Sequence, residues 1–265
     1  MFDIHTHILP FVDDGSGAWK ETLDMIRSGM KDGIKGAVCT SHVFKVLNEE
    51  LEQKLINRFT ELKRRLQQEN INFNLWLGSE INVNAEFNIE SSVATINGNK
   101  KYILLELPMS DYPHHVDDLL FQLSLKGLIP ILAHPERNTV IMQKPVIVNN
   151  LIERGVLIQI NSGSLTGIFG RRVRKVTMSL LKKGQVHIVA SDCHNVNSRP
   201  MHLSSAYEIV ENMYGKERTE LLFTINPRKV IKGETIRAES THGEIKKKGW
   251  EHYLYKIAKG FIKGG

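Results

Sequence analysis

Two histidines, His5 and His7, flank one threonine in the stretch FDIHTHILPFVDDGS, and two aspartates, Asp13 and Asp14, follow within a few residues. In extended chain, alternate residues project to one side, so H-x-H offers both imidazoles to a single point. Further along stand His42 in TSHVF, Glu80 in GSEIN, Glu106 in LLELP, His134 in AHPERN, and Asp192 and His194 in SDCHN. Imidazole mixed with carboxylate, without thiolate, suits Mn, Fe or Zn, and softness does not choose among them. Each residue taken singly has a bland explanation. A lone histidine after a strand is usually a surface or satisfied loop residue, Glu106 could be an edge-strand charge, and many H-x-H pairs bind nothing.

What decides is where the elements put them. Short β-rich runs fall at 2–5, 36–40, 72–78, 102–107, 129–133, 156–160 and 186–190. Helical periodicity fills most of the intervals. Trp19, Leu23, Ile26 and Met30 recur at helical steps, as do Leu51, Leu55, Phe59, Leu62 and Leu66. VDDLLFQLSLKG and RRVRKVTMSLLKKG each stop at a glycine, Gly127 and Gly184. Seven strands alternating with helices predict an α/β fold with a parallel sheet closed into a barrel, whose chemistry belongs at the carboxyl ends of the strands.

The ligand-type residues fall at those ends. His5 and His7 close the first strand and Asp14 follows; His42 and Glu80 each come two residues after a strand; Glu106 lies near the end of the fourth. His134 follows the fifth, and Asp192 and His194 follow the seventh. The sixth ends in INSGS, whose Asn161 and Ser162 are polar but poor ligands. Carboxylates converging on one spot repel unless cations sit between them. Nine ligands exceed what one ion takes, so two or three divalent ions are implied.

HTHILPxxDDGS, His42, Glu80, Glu106, AHPERN and SDCHNVNSRP, in that order, resemble the PHP (polymerase and histidinol phosphatase) superfamily. Within it the chain is similar to the bacterial metal-dependent protein-tyrosine phosphatases of capsule and exopolysaccharide loci, as is INSGSLTGIFG. The resemblance covers residues 1–231. It implies a distorted seven-stranded (β/α) TIM-like barrel and a trinuclear, usually manganese-dependent centre. By it His5, His7, Glu80 and Asp192 hold one ion, Glu80, Glu106 and His134 a second, and Asp14, His42 and His194 a third, with Asp13 behind them. It also implies a phosphotyrosine protein as partner, a bacterial tyrosine kinase.

A metal cluster can supply hydroxide near neutral pH for in-line attack on phosphorus. Arg137, three residues from His134, is the first candidate to hold the phosphate, since its fork matches phosphate geometry; Arg199 is the second. Arg137, Asp192 and His194 form the candidate catalytic set, and the acid that protonates the leaving oxygen stays unassigned. CHNVNSR also fits C-x5-R, the signature of cysteine-dependent phosphatases, with Cys193 as nucleophile. Against that rival, its loop has no glycine to wrap a phosphate, and it leaves the other ligands unexplained. Two alternatives stay open: a histidinol-phosphate or other small phosphomonoester phosphatase, and a non-catalytic metal-binding scaffold of a polysaccharide-assembly complex.

The formal charge of +6 is uneven. Residues 232–265 hold eight Lys/Arg against four Glu, leaving the body near neutral, without the basic stripe that nucleic-acid binding wants. This extension is expected to form an amphipathic helix bearing Trp250, Tyr253, Leu254, Ile257 and Phe261 that packs on the barrel, with a membrane-surface or partner contact as the sharper alternative. No signal peptide or membrane span is visible, and two cysteines give no disulfide framework, so a cytoplasmic location is expected.

Overall fold

The computed structural model describes residues 1–236. Seven parallel strands run β1 Asp3–Thr6, β2 Gly36–Val43, β3 Asn74–Asn82, β4 Tyr102–Glu106, β5 Ile129–Ala133, β6 Leu157–Asn161 and β7 Ile188–Ala190, each hydrogen-bonded to the next in sequence. The sheet nearly closes. Thr6 bridges to Cys193, Asp192 N–H donates to His5 O at 3.0 Å, and His7 N–H to Cys193 O at 2.9 Å. The fully buried Asp3 stitches this seam, its Oδ1 accepting from the Ser191 and His5 amides. All seven expected strands are present, and the barrel is the expected architecture.

Two apolar clusters explain the layering. One lies between the strands and the outer helices, drawing on Ala37, Cys39, Ile103, Leu105, Leu132, Ile158 and Val189. The other fills the barrel with the alternate residues Val38, Leu104, Ile131, Ala133, Leu157, Ile188 and Ala190. Continuing that alternation upward leads from Val38 to His42, from Leu104 to Glu106, from Leu157 through Gln159 to Asn161, and from Ala190 to Asp192. The interior is therefore apolar at the amino end and polar at the carboxyl end. β1 breaks its register between Asp3 and Thr6. That irregularity lets Ile4 join the inner core while His5 reaches the polar end.

The main helices are α1 Trp19–Lys31, α2 Glu49–Gln68, α3 Val116–Leu125, α4 Val146–Glu153, α5 Arg171–Lys182 and α6 Ser204–Tyr214. Asn48 caps α2, its Oδ1 accepting from the Leu51 amide at 2.9 Å. Leu55, Leu62 and Leu66 are buried as their spacing predicts, and Leu51 and Phe59 partly so. In α1 Leu23 and Ile26 are buried as expected and Trp19 partly so, but the buried face is centred to one side of the expected stripe. Met30 is exposed, and Met25 and Gly29 are inside. Gly29 lies so close to Met201 that a Cβ there would collide with its sulfur. A parallel pairing of Val46–Leu47 with Glu86–Phe87 ties together the segments after β2 and β3.

Two ligand positions need correction. β2 continues to Val43 and β3 to Asn82, so His42 and Glu80 lie inside their strands rather than two residues past them. They pair directly across the sheet. At the other end, Tyr102 Oη donates to Glu234 O at 2.6 Å and accepts from Ile236 N–H at 2.9 Å, which lays residues 234–236 against β4. The helix expected around Trp250–Phe261 lies outside the described residues. Among the described residues no helix is long and apolar enough to cross a membrane.

Candidate metal centre

The polar mouth of the barrel gathers all nine expected ligands. Four overlapping sets bring ligand atoms within 4.8 Å of one another: His5, His7 and Glu80; His5, His134 and Asp192; His42, Glu80 and Glu106; and His7, Asp14, His42 and His194. The last contains the third set implied by the resemblance, with His7 added. Glu80 is the hub. Its Oε2 lies 3.1, 3.3 and 2.9 Å from His5 Nε2, His7 Nε2 and His42 Nδ1, and its Oε1 2.9 Å from His134 Nε2. Glu106 stands 3.6 Å from His42 and 3.7 Å from His134. Asp14 is largely exposed and reaches His42 Nε2 at 3.5 Å and His194 Nε2 at 3.4 Å from the solvent side.

The loops that present these groups are built for it. In DDGS the chain folds back on β1, with Ser16 N–H donating to His7 O at 3.1 Å. Gly15 is required there, because a Cβ would run into the His7 carbonyl. The turn sends the two aspartates different ways. Asp13 Oδ2 accepts from His7 Nδ1 at 2.9 Å and from the His42 amide at 3.0 Å, so it orients ligands from behind, while Asp14 faces the mouth. His134 and Asp192 both adopt left-handed backbone, φ 31° and 54°. Non-glycine residues rarely do so, and such strain concentrates at functional sites.

Electrostatics give the same picture. Burial works against charge on Glu80 and Asp192, yet the surrounding imidazoles, and for Asp192 also Arg199, hold both carboxyls well below the usual range. Burial also opposes protonation of His7, but hydrogen bonds from the ring to the carboxylates of Asp13, Asp192 and Glu80 outweigh it and raise the ring well above its ordinary value. Glu106 goes the other way, pushed up by burial and then by the charge of Glu80. His194 is pushed down to about 3 by burial and then by the charge of His7. Glu80 and Asp192 thus stay ionised at the centre of the site, where their charge attracts cations.

The residues fit divalent ions. Glu80 Oε2, Asp192 Oδ1, His42 Nδ1 and His194 Nε2 are buried atoms without a hydrogen-bond partner among the described residues. His42 Nδ1 and Glu80 Oε2 are close enough to bond but are misdirected for it. Glu80, Glu106 and Asp192 bring three carboxyl groups together in the buried mouth and Asp14 adds a fourth at its exposed edge, a crowding that divalent ions would relieve.

The expected phosphate-binding arginines are both here. Arg137 Nη1 and Arg199 Nη2 donate to the same oxygen, Asp192 Oδ2, at 2.9 and 2.6 Å. Arg137 lies over the Phe169 ring at 4.3 Å, and Arg199 is 6.0 Å from it. Cys193, by contrast, is fully buried in the outer core, and burial pushes its thiol well above the ordinary value. The loop behind it is not a phosphate cradle. The amides of Asn197, Ser198 and Arg199 all donate to Asn195 Oδ1. That turn positions Arg199.

Sequence reasoning set aside β6 as the strand without a ligand, and here it missed a support. His5 Nδ1 is 2.8 Å from Gln159 Oε1, Gln159 Nε2 donates to Asn161 Oδ1 at 2.9 Å, and Asn161 Nδ2 donates to Asp192 Oδ2 at 2.6 Å. The donors run in one direction. They place the His5 proton on Nδ1 and leave Nε2 to face the centre. Beneath, the buried Glu136 ties the two loops together through the Asn161 amide and Ser164 Oγ. The alternation 157–159–161 was the available signal for these groups.

Known proteins agree with this architecture. The family model for capsular polysaccharide synthesis, CpsB/CapC, matches residues 1–232. Tyrosine-protein phosphatase YwqE of Bacillus subtilis is 35% identical over 241 residues, 89% of this chain and 93% of that protein. Tyrosine-protein phosphatase CpsB of Streptococcus pneumoniae is 30% identical over 243 residues, 89% of this chain and all of that protein. A solved structure from work on YwqE and CpsB as metal-dependent tyrosine phosphatases superposes with a TM-score of 0.82 at 33% identity, covering 92% of this chain and 99% of that one. On these matches, over a barrel with an uninterrupted ligand set at its mouth, the chain belongs to the CpsB/CapC family of capsular polysaccharide synthesis.

Proposed function

We propose that this protein is a metal-dependent phosphatase that hydrolyses phosphotyrosine in proteins, and that its physiological target is a bacterial tyrosine kinase controlling capsular or extracellular polysaccharide synthesis. The observation that carries the reading is the convergence of nine imidazole and carboxylate ligands with two guanidinium groups at one barrel mouth. The activity named for YwqE and CpsB, and the family's connection to capsule synthesis, support the substrate class and the setting.

His5, His7, Asp14, His42, Glu80, Glu106, His134, Asp192 and His194 hold two or three divalent ions, Mn before Fe or Zn. When bound, the ions acidify water to serve as nucleophile near neutral pH and offset phosphate charge. The protein's own groups do the rest. Arg137 and Arg199 turn from Asp192 Oδ2 to the phosphate oxygens, and the Phe169 ring under Arg137 limits where that guanidinium can go. Asp13 and Gln159 fix the tautomers of His7 and His5. The departing tyrosine oxygen, with a pKa of about 10, needs less protonation than an alkoxide.

The test is turnover of a phosphotyrosine peptide by purified protein with Mn, beside histidinol phosphate. Preference for the peptide, abolished by EDTA, supports the reading. Preference for histidinol phosphate overturns the substrate, and tight Mn binding with no turnover of either would make the chain a scaffold.

A further inference from the structure

The rim of the mouth carries apolar side chains that neither metal nor phosphate binding requires. Phe11 follows β1, Phe44 follows β2, and Met109, Ile168 and Val196 follow β4, β6 and β7; all are exposed. Single exposed apolar residues are ordinary. Phe44 and Phe11 differ from that background in three ways.

Phe44 is 56% exposed while one side of its ring stacks on His42, with centroids 4.4 Å apart and planes at 25°. It therefore sits one ring's thickness from a proposed ligand. Phe11 is 49% exposed and held at φ 63°, left-handed backbone that a bulky side chain rarely adopts. Its amide donates to Ser16 O, closing the loop that carries Asp13 and Asp14, so the strained residue and the ligand loop are one unit. Because β1 and β2 are neighbours in the sheet, the two phenyl rings stand on adjacent loops of the same rim.

We infer that Phe44, flanked by Phe11, is the aryl-binding wall of the site. It packs against the phenyl ring of the phosphoester and selects aryl over alkyl phosphates. The inference rests on the phosphatase reading above and adds the determinant of its selectivity. A phosphate held among the ligands and arginines must direct its ester oxygen outward, so the esterified group crosses this rim. A phenyl group there meets an exposed aromatic face, and offset or edge contacts between aromatic rings add to the gain from buried area. A methyl group in its place is too small to cover the Phe44 face and buries little of either ring; the Phe11 ring already has the Arg58 guanidinium over it at 5.5 Å, so Phe44 carries the larger share of the contact.

The experiment measures binding of phenylphosphonate and methylphosphonate to the Mn-loaded protein by calorimetry, in wild type, Phe44→Ala, Phe11→Ala and Phe44→Tyr, with Mn content determined in parallel. Wild type should prefer the phenyl compound. Phe44→Ala should cut that preference by roughly tenfold or more, Phe11→Ala less, and Phe44→Tyr should restore it, all at unchanged Mn content. An unchanged preference in both alanine variants overturns the wall. So does self-association of the wild type that the same substitutions abolish while the preference stays, because the rings would then cover a second copy of the chain. Failure of the phosphatase reading shows separately, as absence of phosphotyrosine-peptide hydrolysis by the wild type.

Discussion

Replacing Gln159 by leucine should weaken metal binding without touching a ligand. Gln159 is fully buried, and its carboxamide holds His5 Nδ1 on one side and Asn161 on the other. In Gln159→Leu the His5 N–H loses its acceptor where no water is at hand. An unsatisfied buried donor costs about 1–3 kcal/mol. The ring relieves that cost by moving its proton to Nε2, toward the carboxylates of Glu80 and Asp192, and thereby gives up the lone pair a cation needs. Loss of a partner behind a metal-bound histidine typically weakens affinity 10–100-fold, or about 1.4–2.7 kcal/mol, in keeping with the hydrogen-bond cost. Gln159→Glu is the control. A carboxylate still accepts from Nδ1 and makes the imidazole a stronger ligand, though it can no longer donate to Asn161. It should bind Mn within a few-fold of wild type. The assay is calorimetric titration of metal-free protein with Mn, with circular dichroism to confirm the fold. A folded Gln159→Leu protein with wild-type Mn affinity would refute the claim that β6 sets the His5 tautomer.

Exhaustive EDTA treatment should abolish phosphatase activity, with Mn restoring it best or nearly so; because the ions bind the folded chain, the melting temperature should also rise with Mn concentration in differential scanning fluorimetry. Cys193→Ala should keep most of the activity and all of the metal, since its thiol is buried and held protonated, whereas His134→Ala or Asp192→Ala should lose activity together with metal; a dead Cys193→Ala protein with full metal content would restore the cysteine mechanism. Arg137→Ala should retain metal but lose about 10²–10³ in kcat on a phosphotyrosine peptide, the usual cost of one positioned transition-state donor. Arg137→Lys should recover only part, because a point charge cannot make two parallel hydrogen bonds; near wild-type kcat in Arg137→Ala would pass the role to Arg199.

What the sequence made legible, and what it hid, follows from how a parallel barrel is written in residues. Strands buried on both faces read as apolar runs, so IPILA, VLIQI and VHIVA stand out, and any charged residue at their carboxyl ends is conspicuous. That is why the candidate ligands at the strand ends stood out from spacing, while the choice of Asp14 over Asp13 rested on the resemblance. The bounds of β2 and β3 were harder, because they continue through Ser41–His42 and Ser79–Glu80, polar residues that resemble the start of a loop. Only the ladder pairing His42 with Glu80 shows that the backbone is still strand. Asp13 and Asp14 were indistinguishable on paper, since both are carboxylates one position apart. The collision that excludes any side chain at position 15 sets the turn, and the turn sends one carboxylate behind His7 and the other to the mouth. Gln159 and Asn161 were passed over for a chemical reason: an amide is a poor ligand, so a search for ligands discards it. Alternation along β6 nevertheless assigns both to the same face as Leu157, the barrel interior, where an uncharged polar side chain must find a partner. In this fold, strand alternation joined to the demand for hydrogen bonds locates the groups that aim the ligands as surely as residue type locates the ligands.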